Sequence, residues 1–199
     1  MTLYALKPRF QNLLRPIAAR LAAAGVTANQ VTLAAAILSV VVGGVLILPD
    51  RPAALFLLLP LWLFVRMALN AIDGMLAREF GQKSRLGGYL NELCDVVSDA
   101  ALLLPFAFVA PFAAWAVFLV IFLAALSEYA GVMGPLVGAS RRYDGPLGKS
   151  DRALVVGALG AWIGCGLPLP SWFYWLMPVL AVLLIATSVN RVHRGLLET

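Results

Sequence analysis

The sequence predicts an all-α integral membrane protein: a bundle of six transmembrane helices preceded by an amphipathic surface helix. Three observations carry this. Of 199 residues, 62% are hydrophobic and only 13% charged, whereas roughly a quarter of a soluble domain is charged. Apolar runs recur often enough for about six spans of about 20 residues each. The cations gather on alternate connections: Lys7, Arg9, Arg15 and Arg20 near the N-terminus, Arg78, Lys83 and Arg85 in the second connection, Arg141, Arg142, Lys149 and Arg152 in the fourth, and Arg191 and Arg194 near the C-terminus. The connections on the other side hold only Asp50 and Arg51. An excess of Lys and Arg marks the cytoplasmic side, so both termini and the second and fourth connections are expected there. The division is a single domain, residues 27–199, led by an interfacial segment, residues 1–26.

Residues 3–24 interleave Leu3, Leu6, Phe10, Leu13, Leu14, Ile17 and Leu21 with basic residues at near-helical spacing, which suits a helix lying on the cytoplasmic membrane surface. No apolar core followed by a small-residue cleavage site is present, so no signal peptide is expected. Gly25 ends the helix. Thr27 and Gln30 fit a capping box that opens the first span, Ala28 to Leu48. Residues 49–52 form an outer turn. The second span starts near Ala53 and ends near Phe80 and Gly81, and the third opens near Gly87, with Pro105 and Pro111 at its outer end. The fourth runs from about Phe112 to Met133. The fifth, Ala153 to Gly166, is short, and Gly157, Gly160 and Gly164 permit close packing. Trp172, Tyr174 and Trp175 form an interfacial aromatic belt before the sixth span, which ends near Asn190. Cys94 and Cys165 lie toward opposite faces and form neither a disulfide nor a metal pair. His193 is expected to have no chemical role.

The stretch from Asn70 to Asp99 breaks the apolar pattern. Arg66, Asn70 and Asp73 fall at i, i+4 and i+7 of the second span and share one helix face. Asn91, Asp95 and Asp99 form a second stripe on the third span. Two antiparallel neighbours place the stripes across one cavity. Ionisable groups within a membrane span are costly unless they face such a cavity, so by default they mark function. Glu128 lies at a depth similar to that of Arg66, and an Arg66–Glu128 or Arg66–Asp99 pair is expected. In the connection 140–153, Arg141, Arg142, Lys149 and Arg152 suit an anion, and Gly145, Pro146 and Gly148 are expected to turn backbone N–H groups toward a phosphate.

Oxygen donors without histidine or cysteine suit a hard cation, magnesium or manganese, and phosphate-bearing substrates. The reaction class is then metal-assisted displacement at phosphorus. A proton relay in a transporter is the rival use of such carboxylates, although no inverted repeat supports it.

The run Asp73-Gly74-x2-Ala77-Arg78-x8-Gly87-x3-Asn91-x3-Asp95 closely resembles the signature of the CDP-alcohol phosphatidyltransferase family, D-x2-D-G-x2-A-R-x8-G-x3-D-x3-D. The layout of surface helix, six spans and motif is similar to that family over nearly the whole chain. Two of the four family aspartates are replaced here by Asn70 and Asn91, as in a divergent bacterial inner-membrane branch of the family that this chain resembles. The resemblance implies that Asn70, Asp73, Asn91 and Asp95 surround the metal and the diphosphate of CDP-diacylglycerol. Asn70, Asp73, Gly74, Ala77 and Arg78 would then bind the CDP group, with Asp95 as general base and Arg141, Arg142, Lys149 and Arg152 holding a phosphate of acceptor or donor. Arg66, Asp99 and Glu128 are possible accessory residues. Two missing charges imply one metal, or weaker binding of two, and Asp99 is placed to compensate. The implied activity is transfer of a phosphatidyl group to an alcohol with release of CMP, in phospholipid biosynthesis, by a homodimer in the bacterial inner membrane, with no nucleic-acid partner. A catalytically silent CDP-lipid binder or partner subunit is the alternative.

Overall fold

The computed structural model describes residues 3–199, with side chains from Phe10 onward. Seven α-helices and four short 3-10 segments make up the described chain, with no strand among the described residues. The α-helices are α1 Leu3–Ala23, α2 Ala28–Leu46, α3 Leu58–Glu79, α4 Arg85–Leu103, α5 Ala114–Val132, α6 Lys149–Gly164 and α7 Leu176–Leu196. The capping box expected at Thr27 forms: its hydroxyl accepts the Gln30 amide at 3.2 Å, and the Gln30 side chain accepts the Thr27 amide at 2.8 Å.

Four helical stretches are long and apolar enough to cross a membrane: Ala28–Leu46, Ala53–Glu79, Ala114–Val132 and Ser171–Leu196. Helix α4 falls outside that group because it carries Glu92, Asp95 and Asp99, and α6 because it has only 16 residues. Ile37 and Val41 of α2, Phe118 and Phe122 of α5 and Val182 and Ile185 of α7 point outward and stay exposed. In water such a surface is a liability; for a membrane protein it is the lipid-facing shell.

Inside that shell, close van der Waals packing rather than hydrophobic transfer holds helices together. Helix α2 packs on α3 and α4, α3 on α6, and α5 on α7. A Cβ on Gly43 would lie 2.2 Å from the Ala101 carbonyl oxygen, so α2 and α4 touch backbone to backbone. The glycines of α6 act as expected: Leu59 Cβ and Leu57 Cγ fill the places where side chains on Gly160 and Gly164 would project. Phe56, Phe106, Phe112 and Phe173 close one end of the bundle, with successive ring centroids 5.9, 5.7 and 6.1 Å apart. Their end is sealed by apolar contact, and the polar stripes converge at the other.

Helix α1 buries Leu14 and Ala18 against Ile72, Met75 and Leu76 of α3, and Arg15 pairs with Glu79 at 2.9 Å. Leu13 and Ile17 remain exposed. The side chains of Leu3, Leu6, Lys7 and Arg9, on which part of the amphipathic pattern rests, lie outside the described residues.

Two boundaries differ from the sequence expectation. Helix α6 begins at Lys149 rather than Ala153, because the Asp151 carboxylate accepts the Gly148 amide at 2.9 Å and caps the helix within the polar connection. Helix α7 continues past Asn190 to Leu196. The cause is Arg191, which is buried and donates to the carbonyls of Ser127 and Asp144, holding the helix end against α5 and the connection. Cys94 and Cys165 are free.

Candidate functional site

The α3–α4 turn is pinned to the start of α2 by one side chain. Gln82 accepts the Ala28 amide at 2.7 Å and donates to the Val26 carbonyl at 3.3 Å. Ser84 then caps α4 by accepting the Gly87 amide at 2.9 Å. These bonds open a cavity of about 380 Å3 between α2, α3 and α4, within the range of small-molecule sites.

Asp73 and Asn91 face this cavity, as do Gly74, Ala77, Arg78 and Lys83. Asp73 is buried, and the Thr32 hydroxyl donates to its Oδ2 at 2.8 Å, which fixes the carboxylate. The absent side chain of Gly74 matters here: a Cβ would sit 2.7 Å from Arg78 Nη2, so the guanidinium folds over the glycine. Neither Arg78 nor Lys83 has a carboxylate within 4.0 Å among the described residues. Asn70 and Asp95 are not among the residues lining the cavity.

Asp95 belongs to a second arrangement, an ion-pair ladder through the bundle. Arg66, 4% exposed, reaches Asp95 Oδ1 at 3.1 Å and Asp99 Oδ1 at 2.7 Å. Of the two partners expected for Arg66, Asp99 is the one it meets. Lys149 contacts Asp95 Oδ2. Arg152, 5% exposed, joins Asp99 Oδ2 and Glu128 Oε1, both at 2.9 Å. Glu128 Oε2 is also approached by Arg191 at 3.3 Å and by Arg141 at 3.7 Å, and Arg141 pairs with Glu92. Arg142 pairs with Asp144 at 2.8 Å and with Glu198.

In the 140–148 connection, four backbone N–H groups are bonded within the fold. The Ser140 amide donates to Glu198, Arg142 to the Gly131 carbonyl at 3.0 Å, Leu147 to the Thr187 hydroxyl at 3.0 Å, and Gly148 to Asp151. Side-chain acceptors at Thr187, Asp151 and Glu198 satisfy donors that would otherwise be left unpaired.

Sequence reasoning missed Asn29 and Thr32, Glu92, Tyr143 and Arg191. Asn29 and Thr32 did leave a signal, being polar residues at i and i+3 at the start of the first span. Tyr143 left little; it lies under the Arg141 guanidinium at 4.7 Å and lines the cavity mouth.

For a divalent cation, the available donors are the carboxylates of Asp73 and Asp95 and the amide oxygens of Asn70 and Asn91. No group of three or more His, Cys, Asp or Glu residues able to hold a metal occurs among the described residues. Magnesium is commonly held by one or two carboxylates together with substrate phosphates. Of these four donors, Asp73 and Asn91 line the cavity.

Comparisons with known proteins bear on the whole chain. Residues 25–183 match the model of the CDP-alcohol phosphatidyltransferase family. Inner membrane protein YnbA of Escherichia coli is 48% identical over 99% of this chain and 98% of its own length. Archaetidylinositol phosphate synthase of Pyrococcus horikoshii is 32% identical over 49% of this chain and 50% of its own. Among solved structures, Mycobacterium tuberculosis phosphatidylinositol phosphate synthase PgsA1 with CDP-DAG bound superposes with a TM-score of 0.73 at 24% identity, covering 90% of this chain and 92% of that one. Its complex with manganese and citrate gives 0.72 at 24% identity, covering 90% and 87%. These last two likenesses establish the fold.

Proposed function

Because this chain belongs to the CDP-alcohol phosphatidyltransferase family, we propose that it transfers a phosphatidyl group from CDP-diacylglycerol to an alcohol and releases CMP, in phospholipid biosynthesis. One observation carries the reading most directly. Arg78 and Lys83 line the cavity without a carboxylate partner among the described residues, together with Asp73, Asn91 and the small residues Gly74 and Ala77. A cavity lined by both unneutralised cations and metal-compatible oxygens suits a diphosphate.

In this reading Asn70, Asp73, Gly74, Ala77 and Arg78 bind the CDP group, and Asn70, Asp73, Asn91 and Asp95 hold one magnesium or manganese ion. The ion, when bound, neutralises diphosphate charge as the reaction proceeds. Asp95 takes the proton of the acceptor hydroxyl. The acceptor oxygen forms its bond to the β-phosphorus, the bond from that phosphorus to the CMP oxygen breaks, and Asp95 passes its proton to solvent. Arg66 holds Asp95 Oδ1, which leaves Oδ2 to receive the proton once Lys149, on its flexible four-carbon stem, swings off. Of the four cations expected at a phosphate, Arg141, Arg142 and Arg152 are held by carboxylates and Lys149 lies on Asp95. Arg152 and Asp99, joined to Glu128, act by positioning Arg66 and so Asp95.

The placement in the membrane follows the charge distribution. Helices α4 and α6 complete six spans, with Asp95, Asp99 and Arg152 turned into the bundle and away from lipid. Helix α1 lies on the cytoplasmic surface of the bacterial inner membrane with Leu13 and Ile17 toward lipid, and both termini and the cavity face the cytoplasm. The exposed apolar stripe Leu86, Leu93 and Val97 of α4 is available for a homodimer. A silent CDP-lipid binder is the second reading, favoured by Asn70 and Asn91 and by the two cations already on Asp95.

CMP release decides between them. Purified protein is supplied with CDP-diacylglycerol, magnesium or manganese and a panel of alcohols, with Asp95→Asn as control. Release that depends on one alcohol and is lost in the control is the expected result. CDP-lipid binding without release under any condition would leave only the binder.

A further inference from the structure

We infer that the acceptor alcohol is an uncharged polyhydroxyl compound, without a phosphate of its own. The inference rests on the transferase reading and on an asymmetry between the two sides of the site.

On the donor side, Arg78 and Lys83 stand without a counter-charge among the described residues. On the side where an acceptor must approach Asp95, each arginine has a carboxylate partner, with only the buried Nε of Arg141 left without a hydrogen bond. Arg141 is held by Glu92 and Glu128, Arg142 by Asp144 and Glu198, Arg152 by Asp99 and Glu128, and Arg191 by Glu128. Four backbone donors of the connection, those of Ser140, Arg142, Leu147 and Gly148, are bonded to Glu198, the Gly131 carbonyl, Thr187 and Asp151. Lys149 remains, and it lies on Asp95.

A phosphate dianion entering here would have to separate arginines from carboxylates that then stay beside it. Like charges at hydrogen-bond distance repel strongly when partly buried, so the exchange is unfavourable. A neutral polyol meets no such obstacle. Each hydroxyl both donates and accepts, so alternating carboxylate oxygens and guanidinium N–H groups serve it without any pair being broken. Glu92 and Arg141 present such an alternation on the wall of the cavity that also carries Asn91. The fold therefore keeps its available positive charge for the donor and offers the acceptor a balanced array.

Two measurements test this. In the first, CMP release is compared for uncharged polyols and for their monophosphates. The expected outcome is that at least one polyol exceeds its own monophosphate in kcat/KM by about tenfold or more. Turnover with monophosphates alone would overturn the inference and leave the transferase reading intact, whereas release with no alcohol at all would count against the transferase reading. The second measurement needs no turnover: inorganic phosphate is titrated calorimetrically into wild-type protein and the double variant Arg141→Gln/Arg142→Gln. The expected result is that the wild type shows no saturable heat beyond what the double variant also gives, because Arg78 and Lys83 are present in both. A saturable heat in the wild type that the double variant loses would overturn the inference whatever the activity.

Discussion

Replacing Arg152 by methionine tests the ion-pair ladder on which the site rests. Arg152 is 5% exposed, and its Nη2 lies 2.9 Å from both Asp99 Oδ2 and Glu128 Oε1, side chains that are each 11% exposed. Methionine fills much of the volume but leaves two carboxylates with one partner fewer. Breaking a buried pair by removing one member costs about 3–5 kcal/mol, chiefly through the charge left behind. Arg66 still holds Asp99 and Arg191 still approaches Glu128, so the lower end, about 3 kcal/mol, is expected. Asp99→Asn should also destabilise, and the double variant should recover part of the sum, with a coupling of about 1–3 kcal/mol. Reversible denaturant unfolding in mild detergent measures all four proteins. Singles within about 0.5 kcal/mol of wild type, or effects that add to within that margin, would refute the claim that these groups form one buried network.

Three further outcomes follow from local geometry. Gly74→Ala should push the far end of Arg78 off its position over the glycine, weakening CDP-diacylglycerol binding about tenfold while thermal stability stays near wild type; equilibrium binding together with a melting curve checks both halves. Restoring carboxylates with Asn70→Asp and Asn91→Asp should tighten manganese binding by about tenfold or more and allow a second ion, as read by electron paramagnetic resonance of free manganese. At the C-terminus, the Ser140 hydroxyl and amide, followed by Arg142, hold the Glu198 carboxyl below its ordinary value of 4.5. A group whose folded pKa is depressed stabilises fully above its ordinary pKa and loses that effect as pH falls through the lowered one. Protection of the C-terminal residues from proteolysis should therefore fall on acidification in the wild type, and Glu198→Gln should lack that acid-dependent loss; identical profiles would show that the clamp plays no part.

What was legible in the sequence follows the physics of each signal. The Thr27 cap is fixed by residues three apart, and the stripes Arg66–Asn70–Asp73 and Asn91–Asp95–Asp99 by helical period, so both could be read locally. The meeting of Arg66 with Asp99 required only that two neighbouring helices be antiparallel. The partners of Arg152 and Arg191 were not legible in this way. Each is set by helices far apart in sequence, and a cluster of cations beside a membrane looks the same whether its charges await a ligand or are already matched. The boundaries at Lys149 and Leu196 were misplaced for a related reason. Charged residues normally signal the end of a span, but a capped start at Gly148 and a buried arginine at position 191 let the helices run through them.

That distinction between matched and waiting charge has a wider consequence for the site. A charge partly removed from water must be compensated, either by the protein itself or by what binds. Arg152 and Arg191 are compensated by Asp99 and Glu128 and so stabilise one arrangement of α4, α5, α6 and α7 with no ligand required. Arg78 and Lys83 are exposed, have no carboxylate within 4.0 Å among the described residues, and border the cavity that Asp73 and Asn91 face, so water solvates them. Asn91, where the family signature has aspartate, pushes the balance the same way by removing a negative charge from the cavity wall. The pattern of pairing thus carries information that the count of charges lacks: it separates the cations that build the bundle from those that stand unpaired at the cavity.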